Sequence, residues 1–326
     1  MYFAKLELFL WETFNSNTMK LNRIFAFVSA LLLASAAMFA QKAAFNIATY
    51  NLRQQNESDA RAGNGWDVRV PHVADLIRFH EFDIFGTQEG FKSQLEDLKK
   101  RLPGYEYIGV GRDNGADEGE HSAIFYDTSK FDVIDHGDFW LSETPSKPGL
   151  GWDAVCVRIC TWGHFRHKES GRDFLYFNLH MDHVGKTARV ESAKLVKKRL
   201  TDLGATLPMF LSGDFNVDQF SPSYATIIEG DLLDDSHDRA KMVYEVTGTY
   251  NGYSPSRYTD SRIDHIFVSP NVEVLKYGVL TDTYRTPVED GEGESHANAP
   301  QELKLKKYKA RTPSDHFPVL ISVVLE

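Results

Sequence analysis

The sequence after residue 40 predicts one α/β domain. Short apolar runs typical of β-strands recur along it, and amphipathic patterns typical of helices lie between some of them. No repeat with a period of about 20–50 residues is present, and no Pro/Ser-rich linker divides the chain. The 326 residues are 42% hydrophobic and 25% charged, a composition that excludes collagen-like, intrinsically disordered and disulfide-framework proteins.

Two periodicities predict the individual elements. Apolar or alternating runs predict eight strands, at residues 45–50, 84–87, 123–126, 154–161, 174–179, 209–211, 263–268 and 319–324. Helical spacing predicts a helix over residues 68–81, whose apolar stripe contains Val70, Val73, Ile77 and Phe79. A second helix is predicted over residues 188–203, with Ala193, Val196 and Leu200 on its stripe.

The first 40 residues are predicted to direct export rather than to join the fold. Residues 24–40 are apolar apart from two serines, and they follow Lys20 and Arg23. A basic start, a short apolar core and small residues are typical of a secretory signal peptide, whereas a membrane-spanning helix needs about 20 apolar residues. We therefore expect a cleaved signal peptide, with an uncleaved membrane anchor as the alternative.

The expected cleavage sites follow Ala37 and Ala40. Met19 is the expected start, which leaves residues 1–18 as an upstream extension. The domain is then residues 41–326, located in the periplasm or secreted, and no transmembrane span is expected after cleavage.

The charge balance limits the partners. The formal net charge is -10 and the pI is about 5.7, whereas a protein that binds nucleic acid by bulk electrostatics is normally basic. A phosphate-ester substrate is compatible with this negative charge, because bound metal ions can supply positive charge at the site. Both cysteines, Cys156 and Cys160, fall in a predicted strand, where four residues span about 13 Å, roughly twice the reach of a disulfide. We expect them to be core residues rather than a redox pair.

Polar residues cluster where predicted strands end or begin. Each cluster alone is typical of a turn or a helix cap, but six clusters at six strand ends are difficult to explain as independent turns. Side chains at strand ends leave the core of a packed sheet, and ligands collect there. The clusters are Asn51, Gln88–Glu89, Asn178 with His180, Asp214–Phe215–Asn216, Arg262 with Asp264–His265, and Ser314–Asp315–His316.

These clusters occur in a diagnostic order together with Gly119–Glu120 and the following Ala-Ile-Phe-Tyr126. Gly213-Asp214-Phe215-Asn216 and Ser314-Asp315-His316 are the most specific motifs. Residues 41–326 thus resemble the endonuclease/exonuclease/phosphatase superfamily, which includes deoxyribonuclease I, apurinic endonucleases, inositol polyphosphate 5-phosphatases and bacterial sphingomyelinases, in an exported bacterial-type branch. The resemblance implies a four-layered α/β sandwich, in which two packed mixed β-sheets are flanked by helices.

The resemblance also implies metal-dependent hydrolysis of a phosphate ester. Such a reaction needs an activated water, a charge clamp on the phosphoryl oxygens and a proton for the leaving alkoxide. Mg²⁺ favours oxygen ligands and needs only one or two carboxylates beside the substrate phosphate. By resemblance, Glu89 is the principal Mg²⁺ ligand, helped by Asn51 and Asp315, with Mn²⁺ or Ca²⁺ as substitutes. Asp214 and Asn216 are expected to orient the attacking water and the phosphoryl group, and also to be able to hold a second ion.

Two histidines are implied to act near the scissile phosphate. His316, supported by Asp264, is expected to serve as the acid or base for the water or to bind the phosphate, since a neighbouring carboxylate fixes the tautomer of an imidazole. His180, polarised by Glu120, is expected to contact the phosphate or to assist the leaving group.

Other side chains are expected around the substrate. Arg158 is expected to clamp a phosphoryl oxygen, with a surface ion pair as the alternative. Asn178 is expected to support His180 and to belong to the substrate-binding set. Tyr250 and Tyr253 either stack on a base or sugar or pack at partly buried edges, and Tyr250 is the one that we assign to substrate binding.

Three features have both a structural and a functional interpretation. His265 adjoins Asp264 but points to the opposite face of its strand, which favours a structural role. Asp182–His183 either supports the site or lies in a solvated loop. The basic run from Lys304 to Arg311 precedes Ser314, within a long irregular segment, and either meets an anionic substrate or is solvated.

The function that the sequence favours is an exported Mg²⁺-dependent phosphoesterase, most simply a nuclease or another phosphodiesterase. A sphingomyelinase or a sugar- or inositol-phosphate phosphatase of the same fold is the alternative, although no apolar membrane hairpin and no dense basic pocket is evident. A non-catalytic binding module is disfavoured, because none of the matched positions is missing. No obligate protein partner is implied.

Overall fold

The computed structural model describes residues 42–204, 206–288 and 305–325, together with residues 298, 300, 302 and 303. The predicted signal segment lies outside these residues. The described strands are β1 (Ala43–Asn51), β2 (Ile84–Gln88), β3 (Tyr105–Ile108), β4 (Ile124–Asp127), β5 (Phe131–Trp140), β6 (Ile159–His167), β7 (Asp173–His180), β8 (Met209–Asp214), β9 (Asp234–Asp235), β10 (Met242–Tyr244), β11 (Asp264–Val268), β12 (Val272–Val279), β13 (Tyr284–Pro287), β14 (Tyr308–Arg311) and β15 (Val319–Leu325). The described helices are α1 (Glu57–Arg61), α2 (Trp66–Phe79), α3 (Lys92–Arg101), α4 (Lys186–Gly204), α5 (Pro222–Ile228) and α6 (Ser236–Arg239).

Two mixed sheets contain most of these strands. The first sheet has the order β10-β12-β15-β1-β2-β4-β3, and the second has the order β5-β6-β7-β8-β11-β9. In the first sheet, β1 runs parallel to β2 and antiparallel to β15. In the second sheet, β7 runs parallel to β8, which runs antiparallel to β11. Strands β13 and β14 form a separate antiparallel pair.

The alternation of side chains along each strand produces the layers. In β1, Ile47 belongs to the core between the sheets and Ala48 to the core under the outer helices. Tyr176 and Phe177 alternate in the same way in β7. Helices α2 and α3 cover the outer face of the first sheet, and α4 covers the outer face of the second. The fold is therefore the four-layered α/β sandwich that the sequence resemblance implied.

Polar groups join the two sheets beneath the end of the sandwich where β1 and β7 finish. The Tyr176 hydroxyl donates to the Ala48 carbonyl oxygen at 2.9 Å and accepts from the Gly86 backbone N–H at 2.8 Å. Asn178, two residues further along β7, donates to the Thr87 carbonyl oxygen at 2.9 Å. Gly86 is required at this close approach, because a Cβ there would lie 2.2 Å from Asn178 Oδ1.

One predicted strand was wrong in its first half. Strand β6 begins at Ile159, so residues 154–158 form a loop. The backbone N–H groups of Val155 and Cys156 each donate to Asp182 Oδ2 at 3.1 Å instead of pairing with a neighbouring strand. An apolar run therefore became a loop because a buried carboxylate binds its backbone.

The predicted helices are present with small changes at their ends. Helix α4 buries Ala193, Val196 and Leu200 as expected, but Phe79 at the end of α2 is 81% exposed, so its predicted burial was wrong. Both cysteines are free thiols. Among the described residues, no helix has the length and apolar character needed to cross a membrane.

Candidate active site

Strand ends from both sheets meet at one end of the sandwich. The positions that face inward are apolar along most of each strand and become polar at these ends. Backbone pairing places His180 beside Asp214, and Asp214 beside Asp264. Asn51, the last residue of β1, reaches across from the other sheet and donates from Nδ2 to Asp214 Oδ2 at 2.9 Å. The alternation that builds the core thus also assembles the site.

The carboxylates of Glu89 and Asp315 form an anionic corner of this site. Glu89 directly follows β2 with a φ of 64°, and its carboxylate accepts from Asn51 Nδ2 at 3.0 Å and from the Gln54 backbone N–H at 3.1 Å. The Arg53 guanidinium lies 3.9 Å from Glu89 and 3.7 Å from Asp315. Both carboxylates therefore share Arg53 as a cationic neighbour.

A divalent cation fits this donor set. Burial raises the pKa of Asp315, and the Glu89 charge acts in the same direction, so a cation would stabilise the ionised pair. A second possible set shares Glu89 but not Asp315, because ligand atoms of Glu89, His180 and Asp214 lie within 4.8 Å of one another. Carboxylate oxygens are the ligands that hard ions such as Mg²⁺ favour.

Asn51 does not present its oxygen to this corner. Its Oδ1 accepts from the Arg53 backbone N–H at 2.9 Å, which leaves the NH₂ group facing Glu89 and Asp214. Because an amide binds a metal through its oxygen, the expectation that Asn51 is a direct ligand does not fit this geometry. Its amide instead holds the two carboxylates in place.

Asp214 is the central carboxylate of the site. It is buried at the end of β8 and accepts from Asn51 Nδ2 and from the Asn216 backbone N–H, the latter at 2.9 Å. Burial raises the pKa of Asp214 to about 7, and the charge of Asp264 acts in the same direction. A carboxyl group that titrates near neutral pH can accept a proton from a bound water. Asn216, with a φ of 51°, places its Nδ2 3.0 Å from His180 Nε2.

His316 and Asp264 form a buried pair between the sheets. His316 Nδ1 lies 2.8 Å from Asp264 Oδ2, and Nε2 lies 3.8 Å from Asp214 Oδ2. Burial opposes the protonated form, but the charge and hydrogen bond of Asp264 hold the pKa of His316 well above its usual value. The Tyr250 ring, 41% exposed, lies edge-on to the imidazole at a centroid distance of 5.2 Å. The structure thus brings together the pair that the sequence expected and adds an aromatic rim.

His180 and Glu120 lie close together but do not form a hydrogen bond. Glu120 Oε2 is 3.8 Å from His180 Nδ1 and only 2.6 Å from Arg112 Nη1. Burial lowers the pKa of His180 well below its usual value, and the charges of Arg158 and Arg112 act in the same direction. Glu120 thus lies within ion-pair distance of His180, whereas its hydrogen bond goes to Arg112.

Arg158 is buried in the loop before β6 rather than in a surface ion pair. Its Nη2 lies 3.3 Å from His183 Nδ1, while its Nε and Nη1 have no hydrogen-bond partner among the described residues. Asp182, 3.8 Å from Arg158 Nε, accepts from four backbone N–H groups, of which two belong to Val184 and Gly185. Asp182 therefore organises the loop, and Arg158 keeps donors for an anion.

Three residues considered from the sequence lie outside the cleft. Asn178 is fully buried between the sheets, with its amide bonded to Thr87 and Gln88, so it does not fit direct substrate binding. It shares the face of His180 on β7 but lies two residues deeper. Tyr253 packs against the Arg69 guanidinium. His265 is buried, and its Nε2 lies 3.1 Å from the Val217 carbonyl oxygen, which agrees with a structural role.

The basic run before Ser314 packs against the rest of the fold. Tyr308–Arg311 is strand β14, and Arg311 bonds to Asn64 Oδ1 at 2.8 Å and Thr286 Oγ1 at 3.0 Å. Lys304 lies outside the described residues. The described part of this run does not line the cleft.

The assembled side chains line a cleft of about 650 Å³. Sequence reasoning missed five of the lining residues: Arg53, Gln54, Arg112, Cys156 and Ile263, of which Cys156 was expected in the core. Arg53 and Gln54 follow Asn51 directly, so the strand-end argument would have found them. Arg112 lies in the loop between β3 and β4, and no strand was predicted before that loop.

A family model for the endonuclease/exonuclease/phosphatase family matches residues 48–316. The chain belongs to this family. Its members are phosphoesterase hydrolases that generally depend on a divalent metal, and the chain has the phosphoesterase fold of the family.

Similar solved structures come from the same family. A family member from Bacteroides thetaiotaomicron is 53% identical, with a TM-score of 0.82 over 88% of this chain and 99% of that chain. A mannosyl-6-phosphatase of Bacteroides thetaiotaomicron is 54% identical, with a TM-score of 0.80 over 86% of this chain and 100% of that chain.

A curated relative is more distant. Nocturnin of Drosophila melanogaster is 23% identical over 315 residues, which cover 84% of this chain and 44% of that protein. The chain spans less than half the length of the curated relatives that it matches.

Proposed function

We propose that the chain is a divalent-metal-dependent phosphomonoesterase that removes phosphate from the 6-position of a mannosyl sugar. The observation that carries this proposal is the 54% identity with a mannosyl-6-phosphatase, which the alignment covers completely. The motifs alone favoured a phosphodiesterase and kept a sugar phosphatase as the alternative. This similarity favours the alternative.

The charge in the cleft supports a small phosphomonoester. Arg53, Arg112 and Arg158 line the cleft, although the chain as a whole has a net charge of -10. A phosphomonoester carries close to two negative charges on one terminal group, which a few guanidinium groups and a metal ion can match. A nucleic acid instead favours an extended basic surface along its backbone. Tyr250 at the rim offers an apolar ring face to a sugar.

Each group has a role in the proposed hydrolysis. Glu89 and Asp315 would hold a divalent cation, which would supply positive charge to the phosphoryl group. Asp214 orients the attacking water and accepts its proton as the water oxygen bonds to phosphorus. The bond from phosphorus to the mannosyl 6-oxygen breaks, and that oxygen takes up a proton from solvent in the cleft. His316, positioned by Asp264, donates from Nε2 to a phosphoryl oxygen as negative charge develops there. Arg112 and Arg158, which line the same cleft, bind the remaining phosphoryl oxygens.

The test is a substrate panel with purified protein. Mannose 6-phosphate, bis-p-nitrophenyl phosphate, single-stranded DNA and sphingomyelin are each supplied with Mg²⁺ or with EDTA. We expect release of inorganic phosphate from mannose 6-phosphate in Mg²⁺ alone, and at least tenfold lower turnover of the diesters. Faster cleavage of DNA or of the model diester would overturn the monoesterase assignment and restore the phosphodiesterase interpretation.

We also propose that the protein acts outside the cytoplasm, on the basis of its N-terminal signal pattern. Intact-mass analysis of protein recovered from the extracytoplasmic fraction tests this proposal. The mature chain should begin near Met38 or Gln41. Recovery of a chain that still begins at Met1 or Met19 would contradict it.

A further inference from the structure

Strand β10 leaves one edge of the first sheet open. It pairs with β12 on one side, and no strand of the described ranges lies on its other side. The Lys241 backbone N–H donates to the Val274 carbonyl oxygen at 3.2 Å, and backbone groups alternate between the two sides of a strand. Those of Val243 therefore also face β12, whereas the N–H and C=O groups of Met242 and Tyr244 face the open side. Such unpaired groups are a template for another strand.

The side chains along this edge are apolar and exposed. Four of them are each at least 43% exposed: Met242, Val243, Tyr244 and Val246. Single exposed apolar side chains are common on protein surfaces, but four within five residues form a patch. Residues 242–244 contain neither proline nor a charged residue, two devices that commonly protect an edge strand. The edge therefore keeps both the hydrogen-bonding groups and the apolar surface that strand pairing uses.

Two opposite charges flank the apolar stretch. Lys241 precedes it and Glu245 follows it. The Lys241 ammonium is 63% exposed and pairs with Glu273 on β12, and the Glu245 carboxylate lies 3.1 Å from His237 Nε2. Because the two ends carry opposite charge, the stretch is complementary to an antiparallel copy of itself. A register centred on Val243 brings each Lys241 opposite the partner's Glu245, as in a cross-strand ion pair.

The same register matches the backbone. With Val243 opposite its own copy, Met242 lies opposite the partner's Tyr244. Both residues direct their N–H and C=O groups to the open edge, so that they form hydrogen-bonded pairs of an antiparallel ladder. A shift by one residue would set outward-facing groups against inward-facing ones. A shift by two residues would keep the ladder but place Lys241 opposite Val243 or Thr247, which loses the charge match.

We propose that β10 is a self-association surface, at which two copies of this chain pair antiparallel about a two-fold axis at Val243. Pairing of an edge with its own copy closes the assembly at two chains. Strand β10 runs parallel to β12, whose Val279 pairs with Val319, three residues after His316. The two clefts therefore open at opposite ends of the dimer. Because the strand is short, the interface is small, and the dimer is weak and reversible.

Sedimentation equilibrium of the purified protein tests the proposal. Runs from about 1 to 500 µM should show a monomer–dimer equilibrium with a Kd of about 10–100 µM. Lys241→Glu should raise this Kd by about tenfold or more, because two attractive cross-strand pairs become repulsive. Glu245→Lys should do the same, and the double variant should return the Kd to within about threefold of the unaltered protein. Lys198→Glu is the matched control, since Lys198 is 69% exposed and pairs with Asp202 on α4.

A second arm tests the backbone pairing. Tyr244→Pro removes an N–H that faces the open edge and no bond to β12, so it should abolish the dimer within this range. If the circular dichroism spectrum of Tyr244→Pro differs from that of the unaltered protein, Tyr244→Ser replaces it and should raise the Kd by about tenfold through the lost apolar ring. A monomer at every concentration would overturn the proposal and leave the edge to a different partner. A dimer that tolerates Lys241→Glu and the Tyr244 variant would overturn it as well, because association would then use another surface.

Discussion

His316 Nδ1 lies 2.8 Å from Asp264 Oδ2, and the two buried side chains come from different sheets. Asp264 opens β11 in the second sheet, and His316 precedes β15 in the first. The pair therefore joins the two halves of the sandwich as well as orienting the imidazole in the cleft.

The stability contribution of this pair should depend on pH. The folded protein raises the pKa of His316, so the contribution is complete below about pH 6.5 and is lost as pH rises through the raised pKa. Urea unfolding in EDTA should therefore show the largest destabilisation by His316→Gln at mildly acidic pH and a smaller one in the alkaline range. His265→Gln is the comparator, because burial lowers the pKa of His265 and the contribution of that residue is lost as pH falls. Parallel pH profiles for the two variants would contradict the prediction that protonated His316 stabilises the fold through Asp264.

Glu89→Gln should remove metal-dependent activity while leaving the fold intact. Glutamine keeps the side-chain shape but not the charge that a hard cation needs. Calorimetric titration with Mg²⁺ should show at least a tenfold loss of affinity, with an unchanged circular dichroism spectrum. Glu96→Gln is the control, since Glu96 bonds to Tyr107 on the surface and does not line the cleft. Unchanged Mg²⁺ affinity in Glu89→Gln would show that Glu89 is not a metal ligand.

His180→Ala should lower activity equally for good and poor leaving groups. His180 Nδ1 is buried without a hydrogen-bond partner among the described residues, and His180 lines the cleft with Arg112 and Arg158, which suits contact with the phosphoryl group common to all substrates. We expect losses of similar size with p-nitrophenyl phosphate and with mannose 6-phosphate, within about threefold of each other and each of at least tenfold. A loss confined to mannose 6-phosphate would show instead that His180 protonates the leaving alkoxide, because p-nitrophenolate departs without a proton.

Gly86→Ala should destabilise the sandwich. The added methyl group would meet Asn178 Oδ1 at 2.2 Å and Ser212 Oγ at 2.7 Å between the sheets. Overpacking of this kind typically costs about 1–3 kcal/mol, which urea unfolding measures directly. Gly149→Ala is the matched control, because nothing lies within 4 Å of the Cβ built there. Equal stability of the two variants would mean that the sheets separate easily at Gly86.

The sequence was most informative for strands whose residues are buried on both faces of a sheet. Strands β1, β7, β8 and β15 are buried in the centre of a sheet, so their apolar runs were evident. Strand β5, with the sequence FDVIDHGDFW, was missed because it lies at the edge of the second sheet and exposes many polar residues. Strand β12 was missed although it alternates, because glutamate, lysine and glycine interrupt its apolar residues.

Within the candidate site, some residues could be predicted from the sequence, whereas some of their contacts could not. Residues at strand ends, such as Asp214 and His316, were found because position and chemistry coincide there. Two side-chain relationships were not accessible from the sequence. Glu120 lies within reach of His180, but only the folded loop brings Arg112 closer to the carboxylate. Likewise, the orientation of the Asn51 amide follows from a backbone N–H two residues later.

The antiparallel pairing of β1 with β15 also determines which end of these strands is suited to a tag or a surface linkage. Ala43 lies opposite Leu325, whereas Asn51 and the Ser314–His316 segment lie at the other end of the same two strands. Eight residue steps along β1, at about 3.3 Å each, put roughly 26 Å between these ends. An affinity tag, a fluorophore or a bead linked before Ala43 or after Leu325 would thus sit on the face remote from the substrate entrance. Immobilised protein should therefore keep its cleft accessible from solvent.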